Sequence, residues 1–206
     1  MVIFNPKLYK ECKLAKIQLD NHGVIAFPTE TVMGLGVYFD DYEAYQKMNK
    51  IKGRPEDKPY TMMLGDVEEI EKYAVINEVT QRVIDAFMPG SITILVPAKK
   101  DVVPDYVTHS TGIIGIRVPR NFEALCVLKN AKKPLLVPSA NVSGQKPAMN
   151  STEVESIFGD QLDYIIEGRA NGGIPSTIVD LTKETPVIVR EGPITKEQIL
   201  EKINNY

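Results

Sequence analysis

Apolar and polar residues follow two different periods along this chain, which predicts helices interleaved with short strands. Apolar residues from Leu8 to Leu19 recur at helical spacing, and Gly23 follows them as a helix-ending residue. The apolar run 24–27 then predicts a strand that ends at Pro28 and leads into a polar loop carrying Gly34 and Gly36. Further strands are predicted at 60–64, 92–96, 113–118, 135–137, 164–166, 177–181 and 187–189. Further helices are predicted at 42–50, 66–74, 78–87, 121–130, 151–158 and 195–204.

This interleaving favours an α/β fold with a mixed sheet over a β-sandwich or a helical bundle. The length of 206 residues suits one domain, and no repeat, low-complexity tract or linker divides the chain. Residues 98–112 form the longest stretch without a predicted element, and such a stretch is more typical of a functional loop than of a domain boundary. We therefore expect a single domain over 1–206.

The composition excludes several classes of protein. With 43% hydrophobic and 25% charged residues, the chain is not disordered, collagenous or a coiled coil. Its net charge of −3 excludes a polycation that coats nucleic acid, so any anion site must be local. No apolar run reaches the length of about 18 residues that a membrane helix needs. We expect a cytoplasmic protein without contact to a membrane.

Cysteine and histidine are scarce, which removes most metal and nucleophile chemistry. Cys12 and Cys126 have no CxxC spacing, and His22 and His109 are the two histidines of the chain. These are too few ligands for a structural zinc site, so no protein-bound metal is expected. The two cysteines are expected to be free thiols, as in a reducing cytosol.

The densest basic cluster lies between positions 47 and 58. At its centre, Gly53 and Pro55 prevent a helix from continuing and place Lys52 and Arg54 on irregular backbone. A lysine point charge beside an arginine fork can hold a polyphosphate in one orientation. A solvated helix end whose lysines favour the C-terminal dipole explains the cluster equally well, so both interpretations stay open.

Segment 138–147 is a run of small and polar residues after a predicted strand. Its hydroxyl, amide and backbone groups could line a ligand pocket. A turn in which Ser139 and Asn141 satisfy their own backbone is the simpler interpretation of these residues alone. Because the chain has no G-x-S-x-G elbow, Ser139 is better interpreted as a binding hydroxyl than as a nucleophile.

Two arginines accompany apolar strand runs, Arg117 within 113–118 and Arg190 directly after 187–189. An isolated buried charge is costly, so each should meet a carboxylate or an anionic ligand, and a structural ion pair is the simpler alternative. Ser176 lies at a strand entrance, where a turn or cap explains it as well. The chain has no G-x-x-x-x-G-K-[ST] loop, so a nucleotide would bind by another route.

Several segments taken together resemble one protein family. They are, in chain order, 28–31 with 34–36, 52–55 with 57–59, 115–119, 138–144, 175–180 and 189–192. In this order, over about 24–193, they resemble the YrdC-like family of threonylcarbamoyl-AMP synthases, whose characteristic motifs are K-x-R and S-x-N. The resemblance implies a twisted α/β sheet flanked by helices around a positively charged cavity, and a short form without the extra C-terminal domain of long relatives.

The resemblance also implies an enzyme, a nucleotidyltransferase that joins L-threonine, bicarbonate and ATP into threonylcarbamoyl-AMP and pyrophosphate. Mg²⁺ would be carried by the ATP phosphates. A separate transferase complex would then place the threonylcarbamoyl group on adenosine 37 of tRNA.

Site roles follow from the same resemblance. Lys52 and Arg54 would be catalytic and meet the triphosphate. The further nucleotide contacts that it implies are Lys58, Asn141 and Arg190. The L-threonine contacts that it implies are Thr31, Arg117, Ser139 and Ser176. The resemblance assigns Ser139 to threonine or to the phosphates, and Arg117 suits the α-carboxylate as a planar fork. Met33 and Met63 depart from the family, because relatives commonly carry an aromatic residue at the first position and some carry a histidine at the second.

Two other functions stay open. The chain could be an RNA-binding, tRNA-binding or ribosome-associated protein of the same fold. A net charge of −3, 7% aromatic residues and the absence of a basic stripe interleaved with aromatics argue against this and leave weak tRNA binding as a secondary property. The chain could also be a paralogue that acts on another carbamoyl compound, since intact motifs do not fix the amino-acid substrate.

Overall fold

The computed structural model describes residues 5–53, 59–183 and 185–204. Within these ranges a nine-stranded mixed sheet has the spatial order β7-β1-β2-β6-β3-β5-β4-β8-β9. Its strands are β1 (Ile25–Phe27), β2 (Gly34–Tyr38), β3 (Thr61–Met63), β4 (Ile92–Pro97), β5 (Ile113–Arg117), β6 (Leu135–Leu136), β7 (Tyr164–Ile165), β8 (Thr177–Asp180) and β9 (Val187–Arg190). The pairs β1–β7, β3–β5 and β4–β8 are parallel and the other neighbours are antiparallel.

Helices cover both faces of the sheet. They are α1 (Pro6–Asp20), α2 (Tyr42–Lys52), α3 (Ile70–Tyr73), α4 (Glu78–Phe87), α5 (Asp105–Thr108), α6 (Phe122–Ala131), α7 (Ser151–Phe158) and α8 (Lys196–Asn204). Several begin where an Asn or Asp side chain accepts a hydrogen bond from the backbone N–H three residues later, which satisfies a free helix-end donor. These capping residues are Asn5, Asp41, Asn77, Asn121 and Asn150.

The hydrophobic core is divided by the sheet, as the alternation along β1 shows. Ile25 and Phe27 pack with α1 and α6 on one face, whereas Ala26 packs into the larger cluster on the other. The predicted α/β fold with a helix-flanked mixed sheet is therefore confirmed. Among the helices of the described ranges, none has the length and apolar character needed to cross a membrane.

Two expectations about local structure were wrong. The segment with Gly34 and Gly36 is not loop throughout but contains β2. A Cβ on Gly36 would lie 2.8 Å from Phe27 Cε1, so a side chain there would force the neighbouring ring to shift. The stretch 98–112 is not structureless, because it contains the short helix α5.

Candidate anion site

A partly enclosed cavity of about 120 Å³ lies among the strand ends. Its walls come from the β1–β2 loop, the residues around β3, the end of β5, the loop after β6, the start of β8 and the end of β9. This space suits a small molecule of about the size of an amino acid, since pockets for larger ligands hold roughly 300–1,000 Å³. Of the predicted site residues, the cavity is lined by Thr31, Arg117, Ser139, Ser176 and Arg190.

Arg117 is the last residue of β5 and is 3% exposed. Its Nε donates to the carbonyl oxygen of Gly90 at 3.2 Å, and its Nη1 donates to Thr31 Oγ1 at 3.1 Å. Its Nη2 lies 2.8 Å from Glu30 Oε1. The expectation that this buried arginine meets a carboxylate is therefore confirmed, although the sequence did not identify Glu30 as that partner.

One nitrogen of Arg117 makes an ion pair without a hydrogen bond. Within the described part of the chain, the buried Nη2 has no hydrogen-bond partner, although Glu30 Oε1 lies 2.8 Å away. A buried guanidinium nitrogen without an acceptor is unusual, since most buried donors are hydrogen-bonded. Nη1 carries a second N–H besides the one that contacts Thr31, so Arg117 keeps donor capacity for an anion in the cavity that it lines.

The hydroxyl groups of Thr29 and Thr31 form a directed chain. Thr29 Oγ1 donates its one proton to the carbonyl oxygen of Val32 at 2.7 Å, so it must accept from Thr31 Oγ1, which is 2.9 Å away. Thr31 Oγ1 thus donates to Thr29 and accepts from Arg117. This chain fixes Thr31 against the guanidinium. Thr29 was not predicted as a site residue, because a threonine before a turn carries no distinctive signal.

Arg190 and Ser176 form a second polar wall. Arg190 donates to the Ser176 carbonyl oxygen through Nε at 3.0 Å and through Nη2 at 2.8 Å. Its Nη2 also donates to Ser176 Oγ at 3.1 Å, and Thr93 Oγ1 lies 2.9 Å from the same Oγ. The structure therefore joins a residue predicted to bind the nucleotide to one predicted to bind threonine. Thr93, on β4, was missed because it lies inside an apolar strand run.

Lys52, Ser139 and Asn141 form a connected network beside the cavity. The buried Lys52 Nζ donates to the carbonyl oxygens of Ser139 and Asn141, both at 2.6 Å. Ser139 Oγ donates to Asn141 Oδ1 at 2.6 Å. Asn141 Nδ2 donates to the carbonyl oxygens of Val142 and Gln145 at 2.8 and 3.0 Å, as in a self-satisfied turn. Ser139 lines the cavity, while Lys52 and Asn141 are outside its lining.

Two further cations that were predicted as site residues, Arg54 and Lys58, lie outside the described residues. Pro59 and Tyr60, which follow them directly, line the cavity. Met33 and Met63 line it as well, so the two departures from the family pattern both border the same space.

The described ranges hold no cluster of three or more His, Cys, Asp or Glu residues that could ligate a metal ion. Mg²⁺ prefers oxygen ligands and is commonly bound through one or two carboxylates and the phosphates of a substrate.

A helix-flanked mixed sheet with a buried arginine, Arg117, at the wall of a small cavity defines an α/β protein with a candidate anion site. The Sua5/YciO/YrdC family model, described as "Telomere recombination", matches residues 18–192. The chain belongs to this family, which confirms the resemblance seen in the sequence motifs.

Individual relatives are similar over most of this chain. Identity to the threonylcarbamoyl-AMP synthase of Bacillus subtilis is 33% over 183 residues, which cover 88% of this chain and 53% of that protein. The structure of P. abyssi Sua5 complexed with L-threonine matches with a TM-score of 0.90 at 31% identity, over 95% of this chain and 58% of that one. E. coli YciO matches with a TM-score of 0.86 at 29% identity, over 93% of each chain. The chain spans about half the length of the first curated relatives it matches.

Proposed function

We propose that this chain is an L-threonylcarbamoyladenylate synthase, a nucleotidyltransferase that forms threonylcarbamoyl-AMP and pyrophosphate from L-threonine, bicarbonate and ATP. The observation that carries the proposal is the buried Arg117, which is held by Gly90, Thr31 and Glu30 at the wall of a cavity of amino-acid size. The name of the B. subtilis relative and the threonine bound to P. abyssi Sua5 support the same activity.

In this proposal Arg117 binds the α-carboxylate of threonine. Its planar fork suits two carboxylate oxygens, and its contacts to Gly90 and Thr31 fix its orientation before the ligand arrives. Thr31 has already committed its proton, so it can offer the ligand an acceptor but not a donor. Ser139 and Ser176 supply further hydroxyl groups from the opposite walls.

The chemical step brings two anions together. The neutral threonine amine attacks the carbon of bicarbonate and water is lost, which gives a carbamate; one carbamate oxygen then attacks the α-phosphorus of ATP, and pyrophosphate leaves. Cations lower the repulsion and position the reacting groups. We assign the phosphates to Arg190 at the cavity wall and, by the family resemblance, to Lys52, Arg54, Lys58 and Asn141. When Mg²⁺ is bound to the ATP phosphates, it would neutralise part of their charge.

The product is reactive and must pass to a second enzyme. We propose a threonylcarbamoyl transferase complex as the partner and adenosine 37 of tRNA as the final acceptor, in the cytoplasm. Direct tRNA binding would be weak, since the net charge is −3. The comparisons do not favour RNA binding as the main function.

Pyrophosphate release from ATP and Mg²⁺ tests the activity. We expect release that requires both L-threonine and bicarbonate and is much slower with L-serine. Arg117→Ala should raise the threonine KM by about tenfold or more, because a charge-assisted bidentate contact is lost. Arg120→Ala is the matched control, since it removes an exposed arginine side chain nearby. ATP-dependent turnover without a need for threonine would contradict the proposal, as would equal threonine KM values for the two variants.

A second candidate is the same chemistry on a different amino acid. Met33 and Met63 border the cavity, and flexible methionine side chains accept ligands of varied shape. The same assay with a panel of amino acids decides between the two. Faster turnover with another amino acid than with threonine would favour this candidate.

A further inference from the structure

Glu30 lies behind the cavity, in the loop between β1 and β2. Its side chain is 17% exposed, and its Oε1 accepts a hydrogen bond from the backbone N–H of Arg120 at 3.0 Å. It borders a different groove, together with Gly90 and Arg120, and is outside the lining of the cavity that Arg117 borders. Glu30 therefore reaches Arg117 from the side away from the ligand.

The carboxylate compensates a buried charge. Arg117 is 3% exposed, and a buried guanidinium without an anion nearby is strongly unfavourable. With Oε1 at 2.8 Å from Nη2, Glu30 provides that anion when the cavity is empty. No other Asp or Glu of the described ranges makes a salt bridge to Arg117.

The geometry of this pair leaves the donors available. Despite the short distance, Arg117 Nη2 makes no hydrogen bond to Glu30 Oε1, and the second oxygen, Oε2, is also without a partner in the described residues. A bidentate pair would have used two N–H groups of the arginine. Glu30 thus balances the charge of Arg117 beside Nη2 and leaves the second N–H of Nη1 for a ligand.

We infer that Glu30 is a positioning residue, which keeps Arg117 buried, charged and open to a ligand carboxylate while the cavity is empty. The inference rests on the proposed function only for the identity of the ligand, L-threonine. It assigns Glu30 no contact with substrate. Its effect on binding is expected to pass through Arg117 alone and to leave ATP binding unchanged.

The test compares Glu30→Gln with Glu78→Gln. Both replace a carboxylate that pairs with an arginine, but the Glu78–Arg82 pair lies on the exposed side of α4. Calorimetric titration of each full chain should show a threonine Kd raised by about tenfold or more for Glu30→Gln and unchanged for Glu78→Gln. The Kd of ATP should stay within about twofold for both. Equal or tighter threonine binding by Glu30→Gln would overturn the inference.

Two further measurements separate positioning from simple loss of structure. Glu30→Asp keeps the charge and should weaken threonine binding less than Glu30→Gln, and a larger loss would count against positioning by charge. The side-chain Nε–H resonance of Arg117 should be resolved in the unaltered chain and in Glu78→Gln, and shifted or broadened in Glu30→Gln.

If the unaltered chain bound no threonine, the proposed function would fail. The resonance would still decide the role of Glu30, and an unchanged signal would refute it.

Discussion

Lys52 Nζ donates to the carbonyl oxygen of Ser139 at 2.6 Å, and this bond joins two motifs that are far apart in the sequence. Lys52 is the last residue of α2, and Gly53 follows it in the left-handed region with φ of 55°. The backbone N–H of Ser143 donates back to the Lys52 carbonyl oxygen at 2.9 Å. The end of α2 and the loop 138–147 therefore form one unit, so a change at either is expected to alter the shape of the cavity wall.

We expect Lys52→Met to lower the free energy of unfolding by about 2–4 kcal/mol, because the carbonyl oxygens of Ser139 and Asn141 lose a charged donor. Lys50→Met, an exposed position on the same helix, is the matched control and should change it by less than about 0.5 kcal/mol. Urea unfolding of both variants measures the difference. A loss of activity in Lys52→Met with unchanged stability would mean that Lys52 acts on the ligand and not on the loop.

Most elements could be predicted because their apolar periodicity is local. The predicted helix 78–87 coincides with α4, where Asn77 caps the first turn. β2 was missed because its Gly-Leu-Gly start has the composition of a turn. It forms a strand because it lies between β1 and β6 in the sheet. Its glycine fits close neighbours there, since a side chain at Gly34 would lie 2.7 Å from Val137 Cγ1. Such crowding depends on partners distant in the sequence.

Part of the candidate site could also be predicted from the sequence. The need of the buried Arg117 for an anion follows from general electrostatics, and the structure satisfies it. Which carboxylate pairs with Arg117 depends on how the β1–β2 loop packs against the end of β5. No local sequence signal identifies Glu30 as that partner. The same holds for Thr93, which reaches Ser176 only because β4 and β8 pair in parallel.

Gly36→Ala tests the crowding around β2. We expect it to lower the free energy of unfolding by about 1–3 kcal/mol, because the added methyl group would lie 2.8 Å from the ring of Phe27 and 3.3 Å from Leu135. Gly65→Ala is the control, since its Cβ would meet no atom closer than 3.3 Å, and that atom belongs to the flexible side chain of Lys129. Thermal unfolding checks both. Equal midpoints would show that the sheet relaxes to accept the methyl group.

The two cysteines are both free, as expected from the sequence. Burial raises the pKa of the Cys12 thiol well above its usual range, and a hydrogen bond with the Cys126 side chain raises this pKa further. Because the thiolate is the reactive form, we expect a disulfide reagent at pH 8 to label half-buried Cys126 before Cys12. The variant Cys126→Ser should leave a single slow reaction that becomes fast in urea. Rapid labelling of Cys12 in the folded Cys126→Ser chain would contradict this prediction.

Arg117→Lys separates charge from geometry at the candidate site. Lysine keeps the positive charge but has no planar fork, so it cannot contact Gly90, Thr31 and a ligand carboxylate in the way that the guanidinium can. We expect the threonine Kd to rise by about tenfold or more, while the Kd of ATP stays within about twofold. Arg120→Lys, at an exposed position, should change neither. Calorimetric titration checks both ligands. Threonine binding that survived in Arg117→Lys would mean that the site recognises charge alone, and the fork would lose its assigned role.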